Sequence, residues 1–390
     1  MSSAVAKVDV AVIGGGTIGL SAAYYAAAAG HQTVLFEQFD VGNSRASSDG
    51  DSRMFRVMYS DPTMARLAET SLGLWNEIEA FSGRTLLQRN GLLFYGLSEG
   101  SVEGDLALCA QTMRSLAVPY TPYATPQELK AAYSVFREVP EKYFGLSQPS
   151  SATIVVKRSL QTFRELAVQH GASLLTQCPA SLRHAQPGGP YWIDTPRGTF
   201  AADHLILAPG AWSNQVLAAF GIRLNLKIWQ MTVAYYGVNA TLPWPMWYEF
   251  GPTIGSRQSL FYGFPPMERP GQIKVSADYT NDVYTDPQQC TYRPDPRILD
   301  DMSAFLAQRF NGVDATARDP ATCLYTMSPD YQIVLDTVPG FAGTAVITCE
   351  SGRGFKYTPL FGRILVDLAT TGKSAYDISE FKIDRKGIGA

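Results

Sequence analysis

The sequence predicts a chain of mixed class, α/β in one part and α+β in the other: a discontinuous Rossmann-like nucleotide-binding domain joined to a domain built on an antiparallel sheet. Two observations predict this. A glycine fingerprint stands between an apolar strand and a helix close to the N-terminus, and buried strands of the same kind return near residues 205 and 346, after long stretches of aromatic, strand-like runs.

Val8 to Ile13 is a short apolar run of the sort a buried parallel strand shows, followed at once by Gly14-Gly15-Gly16-Thr17-Ile18-Gly19. A helix through Leu20, Ala22, Tyr25 and Ala26 stops at Gly30, and Thr33 to Phe36 makes a second buried strand ending on Glu37. Each glycine has a mechanical task. Gly14 permits the tight turn, Gly16 lets a pyrophosphate approach the backbone, and Gly19 lets helix and strand pack closely. Free N–H groups at the helix start attract phosphate, and Glu37 is placed to accept the hydroxyls of an adenosine ribose. The fingerprint therefore predicts a bound dinucleotide.

The polar loop from Gln38 to Arg56 is expected to wrap that ligand. Asp61-Pro62 reads as an N-cap and first-turn proline, opening a helix whose Met64, Leu67, Leu74, Trp75, Ile78 and Phe81 face the core. Asn90-Gly91 between two apolar flanks predicts a hairpin leading into a sheet-rich region, and Thr125 to Glu128 a capping box on a short helix. Arg158 to Gly171 reads as an amphipathic helix followed by a strand at Ser173 to Thr176. Asp203 to Ala208 is a buried strand closing on Gly210, so the chain returns there to the nucleotide-binding domain. From Ile222 to about Ala321 strand-like runs dominate, with MWYEF at 246 to 250 and LFYGF at 260 to 264. Val346 to Ala369 then gives a strand, a glycine-rich turn and a helix with Thr358 as N-cap and Pro359 in its first turn. The boundaries that follow are 1–88, 152–222 and 326–390 for the nucleotide-binding domain and 89–151 and 223–325 for the substrate-binding, catalytic domain. A cofactor held along its whole length by three separated pieces points to a flavin more than to a nicotinamide.

At 390 residues the chain suits two domains with ample core. A net charge of -3 gives no reason to expect nucleic acid or an anionic membrane as partner. The cysteines, Cys109, Cys178, Cys290, Cys323 and Cys349, show no CxxC spacing, so neither a metal site nor a disulfide framework is expected. Their odd number and scatter predict reduced thiols and a cytoplasmic setting. The N-terminus runs almost directly into the first strand, leaving no room for a signal peptide, and no apolar run is long enough to span a bilayer.

The sequence resembles the monomeric sarcosine oxidase and N-methyltryptophan oxidase family of covalent-FAD amine oxidases over nearly the whole chain. The motifs are GGGTIG at 14 to 19, GDSRMFR at 50 to 56, LILAPGAW at 205 to 212, FYGFP at 261 to 265, IKVS at 273 to 276, TCLYT at 322 to 326 and SGRGFKY at 351 to 357, with a tail containing FKIDR at 381 to 385. The resemblance implies FAD linked covalently through Cys323 as an 8α-S-cysteinyl flavin, with Gly14, Gly16, Thr17, Ile18, Gly19, Glu37, Ser52, Arg53, Gly210, Trp212, Gly352, Gly354, Phe355 and Lys356 as further cofactor contacts. It gives Arg56 and Lys356 the substrate carboxylate, with Tyr262 and Met246 also in the substrate pocket. Lys274 is placed near flavin N5 to assist reaction with oxygen, Arg53 beside the ring, and the Tyr262 and Tyr325 hydroxyls on the pocket wall.

The chemistry of these residue types agrees. An arginine fork meets both carboxylate oxygens, a fixed cation stabilises superoxide where it forms, and a helix start before which Lys356 lies favours the negative charge of a reduced flavin. Where the family commonly has histidine, this chain has Asp49 and Asp278, a departure from the pattern that goes with the usual small N-methyl substrate; the two carboxylates read as recognising a second cationic group, as altering the amine's pKa, or as solvent-facing loop acids.

The expected activity is an FAD-dependent amino-acid oxidase. Hydride leaves the substrate's alpha C–H for flavin N5 to give an imine, and O2 is reduced to H2O2. The expected substrate is an N-methyl, cyclic imino or bulky amino acid, Trp247 and Tyr248 favouring the larger ones, and the protein is expected to be a monomer. The competing readings are a flavin dehydrogenase with a quinone or protein acceptor, and a nucleotide-binding protein without catalysis.

Overall fold

In the computed structural model, which describes residues 5–98, 100–101, 103–239, 241–254, 257–267 and 269–389, the fingerprint lies at the centre of an eight-stranded sheet. The strand Ala6–Ile13 pairs in parallel with Thr33–Phe36 on one side and Gly198–Leu207 on the other; Ser173–Leu175 and Thr344–Thr348 extend the parallel set outward. Register brings the carboxyl ends together: Ile13 lies opposite Phe36 and Leu207, Phe36 opposite Leu175, and Leu207 opposite Val346. Ligands bind beyond the carboxyl ends of such strands. These strands are buried on both faces, as the unbroken apolar runs at Val10–Val12 and Leu205–Leu207 require. Their edge continues into an antiparallel meander, Ser181–Leu182, Tyr191–Thr195 and Gly198–Leu207, which the sequence reading passed over.

The opening helix Thr17–Ala28 starts at Gly16, and the closing helix Thr358–Thr371 packs beside it. The two starts touch through the Thr17 and Thr358 hydroxyls, 3.1 Å apart. Thr358 is not the N-cap of the closing helix. Tyr357 holds that position without a side-chain cap, and the Thr358 hydroxyl donates to Phe355 O instead. The helix Pro62–Ser82 forms as expected, its Asp61 cap accepting from the Thr63 and Met64 N–H groups. Phe81 departs from expectation, being 59% exposed at the helix end.

Gly14 adopts a left-handed φ of +109°, and an added Cβ would overlap the carbonyl oxygen of Ala208 on the neighbouring strand. Gly14→Ala is therefore expected to cost more than about 2 kcal/mol, read as a lower thermal midpoint and a lower flavin-to-protein absorbance ratio. An unchanged midpoint with full flavin would mean that the turn relaxes around the methyl.

The second sheet has nine strands in the order Val283–Tyr284, Lys227–Val238, Gln272–Ala277, Arg257–Phe264, Met246–Ile254, Leu92–Gly96, Phe144–Gln148 and Thr121–Tyr123, with Val313–Met327 also on Lys227–Val238. It is antiparallel except where Met246–Ile254 meets Leu92–Gly96 in parallel. That junction joins strands from distant segments of the chain, so no hairpin can form it. The expected hairpin at Asn90-Gly91 is absent for the same reason: Leu87–Gln88 pairs with Ala152–Val155 in a separate three-stranded sheet that also contains Ser52–Phe55. Asn90 clamps the crossover by accepting from the Thr153 N–H and donating to the Thr153 hydroxyl.

Alternation along these strands sorts side chains to two faces. Trp247, Phe261, Ile273 and Val275 face outward and are covered by a helix, Pro296–Arg309, within the region where strand-like runs are expected to dominate. Phe305 from that helix packs 4.3 Å from the Phe261 ring and 5.6 Å from Trp247. Tyr248, Tyr262 and Lys274 face the other way, into a cavity that Ser52, Arg53, Arg56 and Lys356 also border.

Candidate active site

Outside the carboxyl ends of the parallel strands lies a cleft of about 600 Å³. The fingerprint forms one end of it, with Gly14, Gly16, Thr17, Ile18 and Gly19 on its wall; Gly210, Trp212, Gly352, Gly354 and Phe355 border it as well. Glu37 is buried there, accepting from Gly15 N–H at 2.7 Å through one oxygen and from Phe39 N–H at 2.8 Å through the other. Burial raises its pKa, and those two donors oppose the rise. The opening helix has no side-chain cap from its own N-cap residue and no acidic residue in its first turn; the Ser48 hydroxyl accepts from Thr17 N–H at 3.1 Å, and the positive end carries no compensating charge, which suits an anionic ligand.

A second cavity, about 70 Å³, shares Arg53, Tyr325, Gly352 and Phe355 with the cleft, so one begins where the other ends. Ser52, Arg56, Tyr262, Lys274, Cys323 and Lys356 border it. Alternation in Gln272–Ala277 turns Lys274 inward between two outward apolar neighbours, and its Nζ donates to Ser52 O at 3.2 Å and Ser52 Oγ at 3.1 Å. Arg53 is fixed by the carbonyls of Ser47, Asp49 and Ser52. The Tyr262 and Tyr325 hydroxyls are 3.1 Å apart. The Arg56 guanidinium is 4.0 Å from the Tyr59 ring centre and donates to Met58 O at 2.7 Å. Lys356 Nζ donates to Arg353 O at 3.0 Å, and burial lowers its pKa. Cys323 alone of the five cysteines borders either cavity. Burial raises its thiol pKa, while the Arg53 and Lys274 charges act in the opposite direction.

Residues 9–368 match the family model described as FAD dependent oxidoreductase. The chain belongs to that family. A monomeric sarcosine oxidase of Bacillus sp. (strain NS-129) is 28% identical, the match covering 97% of each chain. An N-methyl-L-tryptophan oxidase of Salmonella arizonae is 26% identical over 97% of this chain and 99% of its own. NikD, described as an unusual amino acid oxidase essential for nikkomycin biosynthesis, is 30% identical with a TM-score of 0.87 over 97% of both chains.

The residues lining the cleft fit the FAD that this family uses. A Cβ on Gly16 would crowd Ser48 at the helix start, and Glu37 keeps acceptor capacity within the cleft at the end of the second strand. The expected cofactor and pocket residues are thus brought together, except for Met246, Trp247 and Asp49. Met246 borders neither cavity; it is fully buried one pleat away from Tyr248, its sulfur accepting from the Thr153 hydroxyl. Trp247 likewise lies on the outward face, so of that aromatic pair only Tyr248 reaches the pocket.

Two charged pocket residues have no role assigned from sequence. Glu103 comes from a loop rich in glycine, serine and acid that reads as solvent-exposed, and Arg353 sits inside the SGRGFKY motif without a role of its own. Glu103, not Asp49, is the second pocket carboxylate beside Asp278, for Asp49 borders neither cavity. None of the four histidines does either.

Asp278 accepts from the Tyr248 hydroxyl at 2.8 Å. Burial raises its pKa to about 7, with Glu103 pushing the same way and Tyr248, Arg353 and Arg56 opposing. An unfolded aspartate titrates near about 3.9, so between about pH 4 and pH 7 the folded chain holds a proton that the unfolded chain has lost. Stability contributed by this group therefore falls as pH rises through that window. Asp278→Asn is expected to raise the thermal midpoint above pH 7, by up to roughly 4 kcal/mol in stability, and to leave it unchanged near pH 4. A difference between variant and wild type that does not vary with pH would contradict this.

Proposed function

We propose that the chain is an FAD-dependent amino-acid oxidase with its flavin tethered through Cys323. The observation that carries this reading is the small cavity at the end of the dinucleotide cleft, which Cys323, Lys274, Arg56 and Lys356 all border. The cofactor supplies a two-electron oxidant that accepts hydride from the substrate's alpha carbon and passes the electrons to O2. Arg56 and Lys356 bind and orient the substrate carboxylate. Lys274, held on the Ser52 hydroxyl and carbonyl, places positive charge where oxygen is reduced. Tyr262 and Tyr325 close the wall with their paired hydroxyls. We assign residues 1–88, 152–222 and 326–390 to cofactor binding and 89–151 and 223–325 to the substrate side.

The protein is read as a cytoplasmic monomer, none of its five cysteines being joined to another in a disulfide. No helix among the described residues is long and apolar enough to cross a membrane. The test is an anaerobic panel of N-methyl, cyclic imino and bulky amino acids, followed by flavin absorbance and then by peroxide release on admitting air. Bleaching with peroxide is the expected result. Bleaching without peroxide would make the protein a dehydrogenase, and no bleaching by any carboxylate-bearing amine would overturn the substrate class.

A further inference from the structure

The seat proposed for the substrate carboxylate is already taken. Glu103 reaches into the pocket from the loop between Leu92–Gly96 and the helix Leu106–Ser115, and one of its oxygens is ion-paired with Arg56 Nη2. Its other oxygen lies 3.6 Å from Arg353 Nε. The Arg56 and Glu103 side chains are 4% and 11% exposed, so the pair is shielded from solvent screening. Burial opposes ionisation of Glu103, yet Arg56, Arg353 and Lys356 together hold its pKa below the usual carboxylate range.

The loop delivers this side chain by construction. Ser101 and Gly104 exchange backbone hydrogen bonds at 3.0 Å each, and the Ser101 hydroxyl accepts from Glu103 N–H. Gly104 has φ +105°, and a Cβ there would overlap the Ser60 hydroxyl. The cavity that remains, about 70 Å³, is far below the roughly 300–1,000 Å³ of small-molecule sites.

We infer that Glu103 is a built-in competitor for Arg56 and so a specificity-determining residue: substrate binds by exchanging its own carboxylate for that of Glu103, which passes to Arg353. This rests on the reading of Arg56 as the substrate's carboxylate site. The exchange keeps one anion against Arg56 throughout, so neither state buries an unpaired guanidinium, whose cost would be severe. A neutral amine cannot make the exchange, so the pocket selects for an acid. The competitor lowers apparent affinity by the fraction of molecules in which Arg56 is occupied.

The test uses acetate as the simplest carboxylate, titrated against the visible flavin spectrum of the holoenzyme, with acetamide as the uncharged control. Glu103→Gln is expected to bind acetate at least tenfold more tightly than wild type, with acetamide unchanged. Arg56→Met is expected to lose the acetate response in both backgrounds. Equal or weaker acetate binding by E103Q, with the response still abolished by R56M, would overturn the inference and leave the reading of Arg56 intact. Acetate binding and substrate bleaching that survive R56M would overturn the reading itself. Should E103Q yield no holoenzyme, Glu103→Asp, which keeps the charge but withdraws it by one methylene, is expected to tighten acetate binding as well, and failure to do so counts against the inference.

Discussion

Serine in place of Cys323 is expected to free the flavin: after acid precipitation the yellow colour should pass from the pellet to the supernatant. The effect is all or none because only one of the five thiols borders the space where the ring would lie. The remaining four, Cys109, Cys178, Cys290 and Cys349, are buried elsewhere as small apolar side chains. At Cys323 the Arg53 and Lys274 charges favour the thiolate that such a link would require, against the burial that disfavours it; the 8-methyl would give up a proton and the flavin would take up two electrons, which O2 would then remove. Serine is nearly the same size but is not ionised at neutral pH, so the fold should persist while the bond does not form. A variant that precipitates yellow would show that another side chain carries the link. The freed cofactor also loses the thioether's electron withdrawal, so bleaching by substrate should be slower even with FAD added in excess.

The second large effect is expected from Arg56→Met, on two separate measurements. Catalytic efficiency should fall by roughly two to three orders of magnitude, because the arginine fork both binds the carboxylate and fixes the amine's distance from the oxidant. Stability should fall by roughly 3–5 kcal/mol, because Glu103 is left buried without its main partner. Combining Arg56→Met with Glu103→Gln separates the two. The double variant should regain much of the stability, since the Arg56 and Glu103 charges are removed as a pair, and none of the activity. If activity returned along with stability, Arg56 would be an architectural half of an ion pair and nothing more.

The nucleotide-binding end of the molecule was legible in sequence because its signals are local. Gly14 to Gly19, the flanking strands and Glu37 lie within one βαβ unit, where spacing and periodicity translate directly into structure. Lys274 was legible for a similar reason: in a strand of period two, a lysine between Ile273 and Val275 must face opposite to them. The same rule explains the failures nearby. Met246, Trp247 and Tyr248 are consecutive, and which of them meets the pocket depends on a register set by Leu92–Gly96, some 150 residues earlier. Asn90-Gly91 carries a hairpin's composition, yet its flanking strands find partners elsewhere in the chain. The helix Pro296–Arg309 did announce itself, through the Asp295-Pro296 cap and apolar residues at 298, 302, 305 and 306, and was passed over inside a region dominated by strands. Glu103 offered no such sign. Its importance arises from where a loop ends in space, a property no short window of residues contains.

The hydroxyl contact between Thr17 and Thr358 spans 341 positions, and it has a consequence for how the protein is made. The first phosphate-binding turn leaves the ribosome more than 300 residues ahead of the wall that faces it, from Glu350 to Phe355. At about 5–20 residues per second, the nascent chain waits some tens of seconds with its nucleotide cradle open on one side. Full capture of the cofactor must therefore wait until that wall has been made, and cells starved of riboflavin should accumulate colourless protein, not stalled fragments.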